Sequence, residues 1–195
     1  MMKNYLQIII TLVISLILSV GMNSCKNSDK EINKIELVKK YFKHLNHPKT
    51  FNTITLFTDS LWTKEGDYEQ IYSLNEYQDW LKWDAIFEPT YKILQIKQED
   101  SIVIVNVSKI DKRISFLHGE PIITKQLFQF NHDKISSIET YEYINFKEAI
   151  FIQNRSMLLS WVEENHPELN GFLYDQSEKG ATKYLDAIHL FNNRK

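Results

Sequence analysis

Residues 91–143 constrain the fold more than any other stretch, because they read as successive strands joined by turns too short for anything but antiparallel pairing. Residues 91–97 set Lys92, Gln95 and Lys97 against Ile93 and Ile96. The pair Glu99-Asp100 then interrupts, a hairpin signal, before a β-branched run at 102–107. Both faces of that run are apolar until Asn106 and Ser108, as in a central strand. Residues 112–117 are expected to form a third strand leading into the turn His118-Gly119-Glu120-Pro121. Residues 122–131 alternate Ile122, Thr124, Gln126, Phe128 and Phe130 with Ile123, Lys125, Leu127 and Gln129. Asn131-His132-Asp133-Lys134 is an Asx-type turn, and residues 135–143 return as the last strand. A parallel pair would need a crossover of roughly a dozen residues or more. The expected product is a curled antiparallel meander with one face needing cover.

Helices before the sheet supply that cover. Ser28 and Glu31 have capping-box spacing. Ile35, Val38, Tyr41, Phe42 and Leu45 then form the stripe of an amphipathic helix that stops at Asn46-His47-Pro48, since the residue before a proline avoids helix. Residues 51–57 read as a short helix or turn, and Leu61-Trp62-Thr63 as a small extended piece. A second capping box, Ser73 with Glu76, opens a helix carrying Tyr77, Trp80, Leu81 and Trp83 ahead of Pro89. Beyond the sheet, residues 145–195 read as a helical hairpin. Its first helix has the apolar face Ile150, Met157, Leu158, Trp161 and Val162, and its last the stripe Ala181, Tyr184, Leu185, Ile188 and Phe191. Between them a turn exposes two aromatics, Phe172 and Tyr174. The class is therefore α+β, with helices in the concavity of a strongly curved antiparallel sheet and a C-terminal helical hairpin.

The N-terminus is of a different kind. A short basic start at Lys3 precedes an uninterrupted apolar run at 5–20, which has the form of a secretory signal and is shorter than the ~20 apolar residues of a spanning helix. It approaches a lone cysteine, Cys25, through small residues, and this resembles the lipobox of bacterial lipoproteins, relaxed at Met22 and Asn23 in the manner of Bacteroidetes-type bacteria. The resemblance implies a signal peptide at 1–24, lipidation of Cys25, a tether at 25–30 and a cell-envelope address. Lys26 is not the Asp that retains some lipoproteins in the inner membrane, so the outer membrane is favoured. One cysteine excludes an intramolecular disulfide.

Length allows one ordinary domain plus a short extra element. With 23 basic against 25 acidic residues and no basic stripe, a nucleic-acid partner is disfavoured.

The opening helix at 35–45, the segment Leu56-Phe57-Thr58-Asp59-Ser60-Leu61-Trp62, the helix at 75–83, the strands at 91–94 and 101–107, and the closing Phe128-Gln129-Phe130 with residues 133–138 together resemble the nuclear transport factor 2-like superfamily, which includes ketosteroid isomerase-like and SnoaL-like proteins. The resemblance covers roughly residues 31–144 and implies a cone with a pocket at its wide end. It does not choose a function, since the superfamily holds isomerases, cyclases, dehydratases and non-catalytic members.

Enzymes of that superfamily use a carboxylate as general base, at times with a His or Tyr donor, in an apolar cavity that raises its pKa. The positions expected to face the cone, Asn106, Ser108, Thr124 and Gln126, are neutral. Asp84 is the best acid candidate and His118 the best histidine; a solvated Asp and a loop His are the plainer reading. Asp59 reads as a capping residue. Trp62, Tyr72, Trp80, Trp83 and Tyr141 could line a pocket for a flat apolar ligand, although aromatic residues at helical spacing more often fill core. His44 and His47 are two ligands without a third and rarely make a metal site; His166, Glu168 and Asp175 could coordinate a cation, although a helix stop at Pro167 explains them more simply. The reading is thus a lipid-anchored domain without cofactor or metal that binds a small apolar ligand or a protein partner. The alternatives are a cofactor-free isomerase or dehydratase and a homodimer paired through its sheet.

Overall fold

The structure, a computed structural model, describes residues 33–47 and 53–194. The signal peptide, Cys25, the tether and the Ser28–Glu31 capping box expected from the sequence lie outside them. Helix α1 (Lys34–Asn46) is capped by Asn33, whose side chain accepts from the Glu36 amide at 3.2 Å. Val38, Tyr41, Phe42 and Leu45 of the expected stripe are buried. A 3-10 turn (Thr53–Leu56) leads into β1 (Phe57–Glu65), and β1 turns at Gly66 (φ 59) into β2 (Tyr68–Ser73). This hairpin is far longer than the extended piece expected at 61–63. Gly66-Asp67 is a two-residue hairpin loop, and glycine meets its positive φ without a Cβ clash.

Helix α2 (Leu74–Ile86) opens with the expected capping box: the Ser73 hydroxyl accepts from the Glu76 amide, and the Glu76 carboxylate accepts from the Ser73 amide at 2.8 Å. Strands β3 (Thr90–Glu99) and β4 (Ile102–Ile110) follow. The third strand expected at 112–117 is instead a helix, α3 (Lys112–Leu117). The Asp111 carboxylate caps it by accepting from the Ile114 amide at 2.6 Å, and the His118 and Gly119 amides close it on the Ile114 carbonyl. Ile114 and Leu117, three apart, are its buried residues. A six-residue segment satisfies that helical spacing and strand alternation equally well. Strands β5 (Ile122–Asn131) and β6 (Lys134–Tyr143) then pair across the expected turn.

The six strands form one curved, unclosed sheet in the order β2-β1-β6-β5-β4-β3. Every neighbouring pair is antiparallel except β1 with β6, which run parallel. The wholly antiparallel expectation is corrected there, because β1 and β6 are separated by most of the domain and no short turn dictates their direction. Bulges in β3, at Leu94, and in β6, at Ser136 and Tyr141, bend the strands and increase their twist. On the concave face Val103, Phe128 and Ile138 lie side by side in register, and α1 and α2 cover them. Asn106 pairs with Lys125, opposite to the Val105 and Val107 face, so it points away from the concavity that it was expected to line.

Helices α4 (Glu148–Asn165) and α5 (Glu178–Asn192) make the C-terminal hairpin, with a 3-10 turn (Pro167–Leu169) between them. They build a second core with Trp83, Phe87 and Leu117. The α5 stripe packs as expected, with Ala181, Tyr184, Ile188 and Phe191 buried. On α4 only Leu158 and Val162 are buried, while Ile150 and Met157 are each 43% exposed. The intervening turn puts Phe172 in the core and leaves only Tyr174 in solvent. No helix among the described residues is long and apolar enough to cross a membrane.

Candidate functional site

The concavity is where a pocket was expected, and side chains fill it. Tyr41 stands against Phe57 and Phe128, both with ring centroids 5.7 Å away, and Phe57 meets Tyr77 edge-on at 5.1 Å. Trp80 stacks on Tyr77 at 5.6 Å. Among these rings the Tyr41 and Tyr77 hydroxyls hydrogen-bond each other at 2.7 Å. Burial, above other causes, pushes both phenols well above their ordinary pKa, so the pair is neutral at any physiological pH.

Asp84, near the end of α2, is 2% exposed. Its Oδ1 receives the Lys109 ammonium at 2.6 Å, its Oδ2 receives the Tyr91 hydroxyl at 2.8 Å, and Arg113 lies 3.8 Å away. Both cations also face Asp111, at 3.6 Å from Lys109 and 3.4 Å from Arg113. The Arg113 guanidinium lies over the rings of Trp83 and Phe87. Asn46, the last residue of α1, holds Tyr91 in place by accepting from its amide and donating to its carbonyl. Burial alone would raise the Asp84 pKa. The attraction of Lys109 and Arg113 and the hydrogen bonds from Lys109 and Tyr91 outweigh it and hold the carboxyl below its ordinary value. Two carboxylates and two cations therefore form a charge-balanced clamp joining α2, β3, β4 and α3. A general base of the kind the sequence suggested needs the opposite shift.

His118 belongs to a different network. It is 3% exposed; its Nδ1 lies 2.8 Å from the Glu120 carbonyl and its Nε2 accepts from the Lys147 amide at 2.9 Å. These contacts assign the proton to Nδ1 and leave no ring nitrogen for a reaction. Its ring stacks on Phe146 and ties the end of α3 to the approach to α4.

The five aromatic candidates are not gathered into one pocket. Tyr72 and Trp80 pack on the concave core and Trp83 belongs to the second. Tyr141 is 62% exposed with the Lys125 ammonium over its ring. Trp62 lies on the outer side of β1. Sequence reasoning missed Lys109, Arg113 and Tyr91 as partners of Asp84, and Asp111 as the carboxylate that shares its cations; the alternating Lys-x-Asp-x-Arg at the end of an apolar strand was the available signal. Among the described residues no group of three His, Cys, Asp or Glu side chains is placed to hold a metal ion.

Two depressions lie on the outer side of the sheet. One, of about 270 Å³, includes Ile104, Asn106, Lys125 and Glu142. The other, of about 600 Å³, lies between β1 and the β5–β6 turn and includes Asp59, Trp62, Ile71 and Asp133.

No family model matches the sequence, and no curated protein matches it. Solved structures do align with the chain. A nuclear transport factor 2-like protein of unknown function from Cytophaga hutchinsonii is 13% identical, covering 58% of this chain and 91% of that one at a TM-score of 0.47. The epoxide hydrolase/cyclase-like enzyme SalBIII of salinomycin pyran ring formation is 17% identical, covering 53% and 85%, at 0.46. A de novo designed protein with a curved β-sheet is 12% identical, covering 67% and 98%, at 0.47. At such identities and scores the likeness speaks to neither substrate nor mechanism.

Proposed function

We propose that this chain is a non-catalytic binding domain of nuclear transport factor 2-like form, held at the bacterial cell envelope, on the outer membrane, by lipid on Cys25. It binds a small ligand with an apolar face, or a protein partner, outside its concavity. The observation that carries the reading is the filling of that concavity: Tyr41, Phe42, Phe57, Tyr77 and Phe128 are all at most 5% exposed. A proton-transfer enzyme needs room for substrate beside a carboxylate of raised pKa. Here the rings occupy the room, and Asp84 is saturated by cations. The flat apolar face that pairing of two copies would require is broken by Lys97, Lys125 and Glu142 on the outer face of the sheet, so self-association forms no part of the proposal.

Two measurements test it. Expressed in a Gram-negative host, the full chain gives a membrane-bound product with an acylated Cys25 at its N-terminus, and Cys25→Ala abolishes acylation. Offered a β,γ-unsaturated ketosteroid, the protein gives no isomerisation that Asp84→Asn removes. Turnover that depends on Asp84 overturns the non-catalytic reading, and an unacylated Cys25 overturns the envelope address.

A further inference from the structure

The outer cleft of about 600 Å³ lies within the ~300–1,000 Å³ of pockets that hold small ligands. Its lining divides sharply by chemistry. Trp62 on β1 and Ile71 on β2, partners in strand register, make one apolar wall, and Ile71 is 69% exposed among the described residues. The remaining lining is polar: Thr58, Asp59 and Ser60 on β1, and residues 131–134 and Ser136 at and after the β5–β6 turn, with Asp59 and Asp133 its carboxylates and Lys134 its ammonium. That turn holds His132 at φ 55, and Asn131 and Asp133 on either side of it line the same cleft as Trp62. Beside the platform, Ser137, the register partner of Trp62 on β6, keeps a buried hydroxyl without a hydrogen-bond partner among the described residues.

Several ligand classes fit this lining poorly. An anion would meet two carboxylates against the single ammonium of Lys134. A metal ion would lack a third donor. A wholly apolar ligand would strip water from the carboxylates without replacing its hydrogen bonds. A neutral sugar fits each part. One face of a pyranose ring is C–H and lies flat on an aromatic ring through weak C–H contacts, while its hydroxyls, each a donor and an acceptor, match carboxylates that accept and amides that do both. We infer that the cleft between β1 and the β5–β6 turn is a carbohydrate-binding site that stacks a neutral pyranose on Trp62 and reads its hydroxyls with Asp59, Asn131 and Asp133. This rests on the reading of the chain as a binding domain and supplies its ligand class. Acylation of Cys25 and absence of turnover are measured separately and stand whether or not a sugar binds.

The test is titration calorimetry of the full chain in a zwitterionic, sugar-free detergent with maltose, cellobiose, mannobiose and N,N′-diacetylchitobiose. At least one disaccharide binds; Trp62→Ala and Asp59→Ala each weaken it tenfold or more, and Trp62→Phe, which keeps an aromatic face, weakens it less. No binding of any of the four overturns the inference, as does binding that both Trp62→Ala and Asp59→Ala leave unchanged. Asp59 is exposed, so its substitution decides the matter if Trp62→Ala does not fold.

Discussion

The two faces of one sheet are built in opposite ways. Register places Val103, Phe128 and Ile138 side by side on the concave face, where helices and aromatic rings close over them. The convex face carries Trp62, Ile71 and a scatter of charged side chains around open clefts. On the proposed reading the concave face holds the fold together and the convex face is the one that binds. Substitutions on the concave side should therefore act on folding, and those on the convex side on binding alone.

The sharpest way to break this division is to disturb the buried charges. Asp84→Ala leaves Lys109 and Arg113 sharing Asp111 alone, and should cost about 3–5 kcal/mol in urea denaturation, as expected when one partner of a buried ion pair is removed. A double variant, Asp84→Asn with Lys109→Met, should recover part of that loss, because no unpaired charge then remains at the Lys109 position. Phe128→Ala, in the concave core, should cost a comparable ~3–5 kcal/mol.

The same clamp sets the acid behaviour. Asp84 has a lowered pKa in the folded protein, so its stabilisation is present above the ordinary carboxylate pKa of about 4 and is lost as pH falls through the folded value. Wild type should lose stability below about pH 4 more steeply than Asp84→Asn when both are followed by circular dichroism. At the other end, Tyr41, Tyr77 and Tyr91 have raised pKa values in the fold, chiefly from burial. Their contribution is complete below about pH 10 and declines above it, as the unfolded chain ionises first.

The hairpin that lies along α2 offers a smaller test. A Cβ on Gly180 would come 2.0 Å from the Asp175 carbonyl oxygen, so Gly180→Ala should force the start of α5 to shift at a cost of about 1–3 kcal/mol. Ser73→Ala removes one half of the α2 capping box and should cost about 1 kcal/mol. On the convex side Asp59→Ala should change stability by no more than about 0.5 kcal/mol while changing binding, which is the contrast in its purest form.

What the sequence disclosed of this division follows the range of each interaction. The α1 stripe, the Ser73-Glu76 box and the β5–β6 turn are local, and residues three to ten apart reveal them. Helix α3 escaped because Asp111, its cap, lies just outside an alternating six-residue segment. The β1–β2 hairpin escaped because its outer residues are mixed, and the parallel β1–β6 pairing because nothing local fixes it. Asp84 stood out as an acid among tryptophans, but its partners Lys109, at the end of β4, and Arg113, on α3, come to it only through the tertiary fold. The outer cleft likewise draws Trp62, Ile71 and Asp133 from three separate stretches of chain.

The most direct test of the closed concavity is a crystal structure under xenon pressure, since xenon enters dry apolar cavities. Closed packing predicts no xenon between α1, α2 and the β4–β5 face of wild type, and a bound atom at the vacated ring in Phe128→Ala. Xenon or a small organic molecule in the wild-type concavity would contradict the account and return the search for function to the inside of the sheet.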